Sequence, residues 1–272
     1  MTISRHSIFI SMIFFLITFS GQAQDAIPPY DSLVIQSELL GESRAINIWT
    51  PPGYAISKAS YPVLYMPDGA ITEDFPHIAN TLSELILAGK IPPTILVGIP
   101  NTQRRRDLTG PTTVRRDKKI APVVGGSTAF RMFIRDELFP EIASRYRTNG
   151  QKTIIGESLA GLFIIETFLM TPDMFDNYIA FDPSLWWNKH QLVNGAAESL
   201  KHFPKAEKRL WFAGSSVQDI YPHTRQLAEI LRNANLGNLK VNYSDEPGEK
   251  HNTIFRATKV KALEWTLGND SR

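Results

Sequence analysis

The chain has 272 residues, a formal net charge of +2 and no cysteine. The near-neutral charge argues against a general nucleic-acid binder, and the lack of cysteine excludes disulfides and a lipoprotein anchor. A chain of this length suits one large α/β domain whose core is stable without covalent cross-links.

The first 23 residues have the pattern of a secretory signal peptide. Arg5 supplies a positive charge, residues 8–19 form an apolar stretch too short to span a bilayer, and Gly21-Gln22-Ala23 is a small-residue cleavage site. We predict that residues 24–272 form a single domain that is periplasmic or secreted and keeps no stable membrane anchor. No pattern indicates the oligomeric state.

Short β-branched or apolar runs alternate with longer amphipathic runs along the rest of the chain. This order predicts an α/β fold with a mainly parallel central sheet and helices on both faces. The predicted strands, of which the first two form an antiparallel pair, are residues 32–39, 44–49, 61–66, 94–99, 153–156, 178–181, 210–213 and 239–243. The predicted helices are residues 78–87, 130–146, 159–170, 222–232 and 254–267. Pro140 should kink or interrupt the second helix.

Ser158 stands where a predicted strand meets a predicted helix, in the run TIIGESLAG at residues 153–161. A sharp strand-to-helix turn with small residues two before and two after a serine exposes its hydroxyl as a nucleophile. Gly156 and Ala160 hold those two positions, although the strict motif has glycine at both. Serine is also a preferred N-cap, so Ser158 could merely begin a helix.

A serine nucleophile needs a base, usually a histidine that a carboxylate orients. In the hydrolase order of serine, acid and histidine, we favour His251, because it lies between the last predicted strand and the last predicted helix. For the acid we favour Asp219, in the loop after the strand 210–213. A dyad, in which a backbone carbonyl orients the imidazole, is also compatible with the sequence. The other candidates for the acid are Asp182, Glu246 and Glu249.

Backbone N–H groups are the usual stabilisers of the oxyanion that forms during ester cleavage. We expect one donor to be the N–H of Leu159, directly after the nucleophile and at a helix N-terminus. The second donor should be Gly69 or Ala70, in the loop after the strand 61–66.

Three side chains are candidates for substrate binding. Trp186 and Trp187 follow the strand 178–181, at the end where ligands of open parallel sheets bind. Arg105 belongs to a basic loop, residues 104–119, which could attract an anionic substrate. The sequence shows no cysteine cluster, no H-E-x-x-H run and no phosphate-binding glycine loop, so we expect no metal and no organic cofactor.

The chain resembles the esterase branch of the α/β-hydrolases, which includes periplasmic enterochelin (enterobactin) esterases and esterase D. The motifs that carry the resemblance are YPVLYMPDG at 61–69, VGIPNTQRRRDLTGP at 97–111, FIRDELFPEIASRYRT at 133–148, GESLAGLF at 156–163, DNYIAFDPSLWWN at 176–188 and PGEKHN at 247–252. This resemblance implies an α/β-hydrolase fold with Ser158 as nucleophile and His251 as base, and some members are thought to lack a strong third carboxylate. Glu157 and Ala160 depart from the histidine and glycine that are common in the family.

We therefore expect a serine hydrolase that cleaves carboxylic esters of small molecules through an acyl-enzyme. Siderophore lactones are the first substrate class to consider, and acetylated or feruloylated carbohydrates are the next. An acyltransferase would use the same residues but pass the acyl group to an alcohol or sugar. A noncatalytic binding protein would keep the fold without a reactive serine.

Overall fold

The structure is a computed structural model that describes residues 25–268, so the predicted signal peptide lies outside the described residues. Its strands form one eight-stranded sheet in the order β1-β2-β4-β3-β5-β6-β7-β8. The strands are β1 (Asp31–Ser37), β2 (Glu42–Trp49), β3 (Tyr61–Pro67), β4 (Ile95–Ile99), β5 (Thr148–Glu157), β6 (Asn177–Phe181), β7 (Lys208–Ser215) and β8 (Leu239–Glu246). Strand β2 pairs antiparallel with both β1 and β4, and the remaining pairs, from β4 across the sheet to β8, are parallel. The predicted, mainly parallel sheet is confirmed.

Helices cover both faces of this sheet. They are α1 (Phe75–Leu87), α2 (Arg104–Asp107), α3 (Arg115–Ile120), α4 (Ser127–Phe133), α5 (Phe139–Arg145), α6 (Leu159–Met170), α7 (Trp187–Leu200), α8 (Tyr221–Ala234) and α9 (Ile254–Leu267). The apolar sides of α1 and α9 pack on one face, and α4 to α8 pack on the other. Strands β3, β4 and β6 are buried along their whole length, because each strand is covered from both sides.

The helical region around Pro140 departs from a regular α-helix. Helices α4 and α5 are joined without a break by a π-helical segment, Ile134–Leu138, and Pro140 lies in the first turn of α5. A proline lacks the N–H that an α-helix needs in its interior, and the wider π turn accommodates that loss. Where we expected a kink or an interruption, the chain stays helical but changes from α to π geometry and back.

Two further differences lie near the carboxyl ends of the strands. The loop predicted after β4 contains the short helices α2 and α3, and α7 was absent from the predicted helices. Helix α7 is difficult to predict because its sequence is polar and it buries only four residues: Trp187, Val193, Ala196 and Leu200. None of the helices between residues 25 and 268 combines the length and the apolar character that a bilayer span requires.

Candidate active site

Three central strands end in non-glycine residues with positive φ. Asp68 after β3 has a φ of 59°, Ser158 after β5 has 61°, and Asp182 after β6 has 44°. Such backbone conformations are uncommon for residues with a Cβ and concentrate at functional sites. The three residues lie at the carboxyl ends of parallel strands, which is where ligands of open α/β sheets bind.

The turn at Ser158 is tight because small residues meet across it. Ser158 has a φ of 61° and a ψ of −116°, a strained conformation. A Cβ added to Gly156 would lie 2.6 Å from the Cβ of Ala160, so alanine fits at 160 because glycine stands opposite it. A Cβ added to Gly161 would lie 3.0 Å from the backbone of residues 181–183, so glycine lets α6 pack closely against the segment that follows β6.

Hydrogen bonds join Ser158, His251 and Asp182 in one chain. The Nε2 of His251 lies 3.0 Å from the Oγ of Ser158, and its Nδ1 lies 2.6 Å from the Oδ2 of Asp182. Since an ionised carboxylate only accepts, Nδ1 carries the proton and Nε2 can accept the hydrogen of Ser158. Asp182 is fully buried, whereas the side chain of His251 is 41% exposed and can be reached from solvent. This is the arrangement of a serine made nucleophilic by a histidine that a carboxylate orients.

Two carboxyl groups set the electrostatics of the imidazole. The hydrogen bond that His251 donates to Asp182 raises the pKa of the imidazole above its ordinary value of 6.5, although burial of the ring acts against this shift. Burial raises the pKa of Glu157, the residue directly before the nucleophile, to about 7. When Glu157 is ionised, its charge also favours the protonated imidazole. Both groups therefore favour the protonated form of the imidazole.

The structure does not bring Asp219 to His251. Its carboxylate lies 2.5 Å from Arg116, and both side chains are at least half exposed. Asp182, one of the alternatives, contacts the imidazole in its place. The geometric reason is that Asp182 directly follows β6, whereas Asp219 lies four residues beyond the end of β7, in the turn before α8.

The predicted oxyanion donors have different surroundings. Leu159 is the first residue of α6, so its N–H has no acceptor inside the helix. The N–H of Gly69 donates to the backbone oxygen of Ile99 at 3.2 Å, and the N–H of Ala70 donates to the Oε2 of Glu73 at 2.9 Å. The side chain of Glu73 can rotate away from Ala70, whereas the backbone oxygen of Ile99 is fixed at the end of β4. The geometry thus favours Ala70 over Gly69 as the second donor.

The two adjacent tryptophans differ in accessibility. Trp187 is 4% exposed, and its indole N–H donates to the carbonyl oxygen of Gly110 at 3.1 Å. Trp186 is half-buried, and the guanidinium of Arg116 lies 5.9 Å from its ring centroid. Of the two predicted aromatic contacts, Trp186 is therefore the one that can present a ring face to a ligand.

Three arginines of the predicted basic loop bind to partners within the protein. Arg104 forms two hydrogen bonds with Asp68, at 2.6 and 2.7 Å, and Arg106 pairs with Glu42 at 2.7 Å. The guanidinium of Arg105 donates to a backbone carbonyl at the end of α3. These arginines hold the loop together, so they are less available to an anionic substrate than the sequence suggested.

A cavity of about 390 Å³ lies beside the turn at Ser158 and includes Gly156 and Glu157 in its lining. The charged residues that line it are Asp68, Glu73, Asp74, Arg104, Glu157 and Arg256. Carboxyl groups outnumber guanidinium groups, so this side of the site is acidic rather than basic. Between residues 25 and 268, no cluster of three or more His, Cys, Asp or Glu side chains is arranged to hold a metal ion.

Two buried serines that contact Ser158 and Asp182 were not predicted from the sequence. The Oγ of Ser184 lies 3.4 Å from the Oγ of Ser158, and both the N–H and the hydroxyl of Ser215 donate to Asp182. Ser184 could have been noticed from the DPSLWW run, because it stands two residues after a strand-end aspartate. Ser215 has no comparable signal, since it ends an ordinary buried strand.

Comparisons with known proteins agree with this geometry. The model of the family described as "Putative esterase" matches residues 37–252. Ferri-bacillibactin esterase BesA of Bacillus subtilis (strain 168) is 29% identical over 261 residues, which cover 84% of this chain and 87% of that protein.

Solved structures show the same architecture. An IroE-like serine hydrolase from Shewanella oneidensis superposes with a TM-score of 0.80 at 29% identity, over 87% of this chain and 79% of that one. The BES protein from Bacillus cereus superposes with a TM-score of 0.78 at 24% identity, over 92% and 99% of the two chains, a likeness that concerns the fold alone. Together with the sheet order, these likenesses confirm the predicted α/β-hydrolase fold.

Proposed function

Because the chain belongs to the esterase family whose model it matches, and is a carboxylic ester hydrolase of the serine class, we propose that Ser158 is its nucleophile, His251 its general base and Asp182 its orienting acid. The observation that carries this proposal is the pair of hydrogen bonds at 3.0 and 2.6 Å that links the three side chains. The distances are within hydrogen-bond reach, as proton transfer between nucleophile and base requires.

In the first half of the reaction, the Oγ of Ser158 attacks the carbonyl carbon of the ester while its proton passes to the Nε2 of His251. The negative charge that forms on the carbonyl oxygen is stabilised by the N–H groups of Leu159 and, once Glu73 has moved, Ala70. Collapse of this intermediate breaks the bond to the alcohol oxygen, which takes the proton from His251. The acyl group stays on Ser158 as an ester.

In the second half, His251 removes a proton from water, and the resulting hydroxide attacks the acyl carbon. The same N–H groups stabilise the second oxyanion. When that intermediate collapses, the Oγ of Ser158 leaves and takes back the proton from His251. The products are the carboxylic acid and the alcohol, and the enzyme returns to its starting state.

For the substrate, we propose small-molecule esters with siderophore lactones as the first class. The Bacillus subtilis relative is named for ferri-bacillibactin. Trp186, two residues after a serine that touches the nucleophile, offers an aromatic face near the reacting centre. The acidic cavity beside the turn at Ser158 suits neutral, hydroxyl-bearing or cationic groups better than carboxylates or phosphates.

We also propose that the protein is exported, by a signal peptide at residues 1–23, to the periplasm or medium. The support is the order of charged, apolar and small residues in that segment. The full chain should be expressed in a bacterial host and its mature form sequenced from the N-terminus. A start near Gln24 in the exported fraction agrees with the proposal, and an unprocessed chain in the cytoplasm contradicts it.

A fluorophosphonate probe tests the nucleophile, because it reacts covalently with activated serines. The wild-type protein should be labelled once and should hydrolyse p-nitrophenyl esters, while Ser158→Ala should be unlabelled and lose about 10⁴-fold or more in kcat. Ser127→Ala is a matched control, since Ser127 is buried and its hydroxyl has no partner among the described residues. Equal labelling of wild type and Ser158→Ala would overturn the assignment.

Product analysis tests the substrate class. The purified protein should be given an iron-loaded and an iron-free catecholate trilactone, an acetylated xylo-oligosaccharide and a feruloylated one. Opening of the lactone at a kcat/KM well above that of the carbohydrate esters supports the siderophore proposal, and the reverse order contradicts it. The same reactions with an added alcohol reveal an acyltransferase, which would form a new ester in place of free acid.

A further inference from the structure

The carboxylate of Asp182 is fully buried and accepts three hydrogen bonds from two residues. Its Oδ1 accepts from the N–H of Ser215 at 2.6 Å, and its Oδ2 accepts from the hydroxyl of Ser215 at 2.8 Å and from His251 at 2.6 Å. A buried carboxylate cannot turn toward water, so its neighbours determine its orientation. Two of those three neighbouring donors belong to Ser215.

Ser215 is itself held in place. It is the last residue of β7 and is 0% exposed, so solvent cannot replace its hydroxyl. The N–H of Val217 lies 3.3 Å from the Oγ of Ser215 and donates to it. A serine hydroxyl can accept and donate at the same time, so its hydrogen can point at Asp182 while its oxygen accepts from Val217.

The same strand end also contacts the loop that carries the histidine. Both the N–H and the hydroxyl of Ser216 donate to the carbonyl oxygen of Glu249, at 3.3 and 3.1 Å. Glu249 lies two residues before His251. The end of β7 therefore contacts both the acid, which comes from the end of β6, and the loop of the base, which follows β8.

We propose that Ser215 is a positioning residue for the reaction: its hydroxyl and N–H hold the carboxylate of Asp182 so that Oδ2 faces the imidazole of His251. The proposal rests on the function proposed above for Ser158, His251 and Asp182. Among the described residues, the hydroxyl of Ser215 bonds to Asp182 and Val217, so its effect on the reaction should pass through Asp182. It matters most when His251 becomes charged, because an oriented carboxylate then stabilises the imidazolium.

Ser215→Ala tests this role, because it removes the hydroxyl and leaves the backbone N–H. Because the lost hydrogen bond is to a charged group, kcat should fall about 10- to 100-fold. KM should stay within about twofold of wild type. The carboxylate should then bond the imidazole less well. The pKa of His251 should fall, and the acid limb of the kcat/KM profile should move to lower pH.

A double-mutant cycle separates positioning from a structural effect. If Ser215 acts through Asp182, then Ser215→Ala should cause little further loss of kcat in an Asp182→Asn background. Ser127→Ala, which removes a buried hydroxyl without a partner among the described residues, controls for the change in side chain. Circular dichroism melts show whether each variant is folded.

The outcomes are distinct. A lower kcat, a shifted acid limb and non-additivity with Asp182→Asn support the proposal. Wild-type kcat with an unmoved limb overturns it, as does a loss that adds in full to that of Asp182→Asn. If the wild-type protein itself is neither labelled by the fluorophosphonate nor active on esters, the proposed function fails, which is a different result.

Discussion

Two aspartates near the ends of neighbouring strands have opposite surroundings. Asp182, after β6, is fully buried and accepts hydrogen bonds from Ser215 and His251. Asp219, beyond β7, is 51% exposed and pairs with the exposed side chain of Arg116. The usual hydrolase order favours the second position for the acid, yet only the first contacts the imidazole.

The difference shows that the conformation and burial of the turn decide whether its carboxylate can contact the imidazole. Knowing which strand precedes the turn is not enough. Asp182 directly follows β6 with a φ of 44°, and its N–H donates to the carbonyl oxygen of Ala213 at 3.0 Å, so its backbone is fixed between two strands. Asp219 lies in a turn at the surface, where water competes for its carboxylate. A carboxylate can orient a base only where its own position is defined.

The largest effect that separates the two should come from Asp182→Asn. The amide keeps the size of the side chain, but its NH₂ group cannot accept from Nδ1, and its oxygen carries no charge to stabilise the imidazolium. We expect kcat to fall roughly 10⁴-fold, as the loss of the orienting carboxylate does in a serine–histidine–aspartate triad. The acid limb of kcat/KM should also move to lower pH, because Asp182 is the main cause of the raised pKa of His251.

Steady-state kinetics between pH 5 and 9 measure both effects of Asp182→Asn. In the wild-type enzyme the base must be neutral, so activity should rise with pH through a value above 6.5. A variant that keeps more than a tenth of the wild-type kcat would show that a Ser158–His251 dyad suffices.

Asp107 is a third aspartate that is buried like Asp182, but its partners are two arginines rather than a histidine. Asp107 is 1% exposed and pairs with Arg44 at 2.8 Å and Arg106 at 2.7 Å. Asp107→Asn leaves the buried guanidinium of Arg44 without part of its counter-charge, so we expect a loss of about 3–5 kcal/mol in the free energy of unfolding.

Urea unfolding measures this loss, and kcat per folded molecule should stay within about twofold of wild type, since the partners of Asp107 are Arg44 and Arg106 and not the three proposed catalytic side chains. Asp182→Asn should show the opposite pattern, with activity lost far more than stability. If both variants lose activity alike, burial rather than contact with the imidazole explains the effect of Asp182.

Glu157→Gln should have a smaller and pH-dependent effect. The pKa of Glu157 is raised from 4.5 to about 7, so the folded state holds this proton more tightly than the unfolded state. The contribution of Glu157 to stability is therefore present below pH 4.5 and is lost as the pH rises to about 7. Glutamine removes that loss and should make the variant more stable than wild type by about 1–3 kcal/mol at pH 8, but not at pH 4.

The kinetic effect of Glu157→Gln follows from the same charge. Removing it should lower the pKa of His251 and move the acid limb of kcat/KM slightly to lower pH, with a fall in kcat of less than about tenfold. Urea unfolding at two pH values and a pH–rate profile give the two measurements. A variant less stable than wild type at pH 8 would contradict the assignment of burial as the cause of the shift.

Much of the fold could be predicted because its strands are short, apolar and separated by helical patterns. The position of Ser158 follows from small residues at 156 and 160, and that of His251 from its place between the last strand and the last helix. Both inferences depend on the order of elements, which a sequence displays directly.

The acid could not be chosen in the same way, because several carboxyl groups follow the later strands. The choice depends on φ at Asp182 and on the donors that surround it, which are long-range properties. The same holds for the two tryptophans: adjacent residues point in different directions, and only packing shows that Trp187 is the buried one. Contacts between distant segments decide these questions, and a single sequence does not display them.

The smallest expected effect is that of Asp219→Asn. An ion pair between exposed side chains contributes only about 0.2–1 kcal/mol, so the variant should lose no more than that in urea unfolding. The loss should be smaller in about 1 M salt, because salt weakens ion pairs between exposed side chains. We expect kcat to stay within about twofold of wild type on p-nitrophenyl esters. A fall of a hundredfold or more would mean that Asp219 replaces Asp182 as the partner of His251 during turnover. The two aspartates would then contact the imidazole at different steps of the reaction.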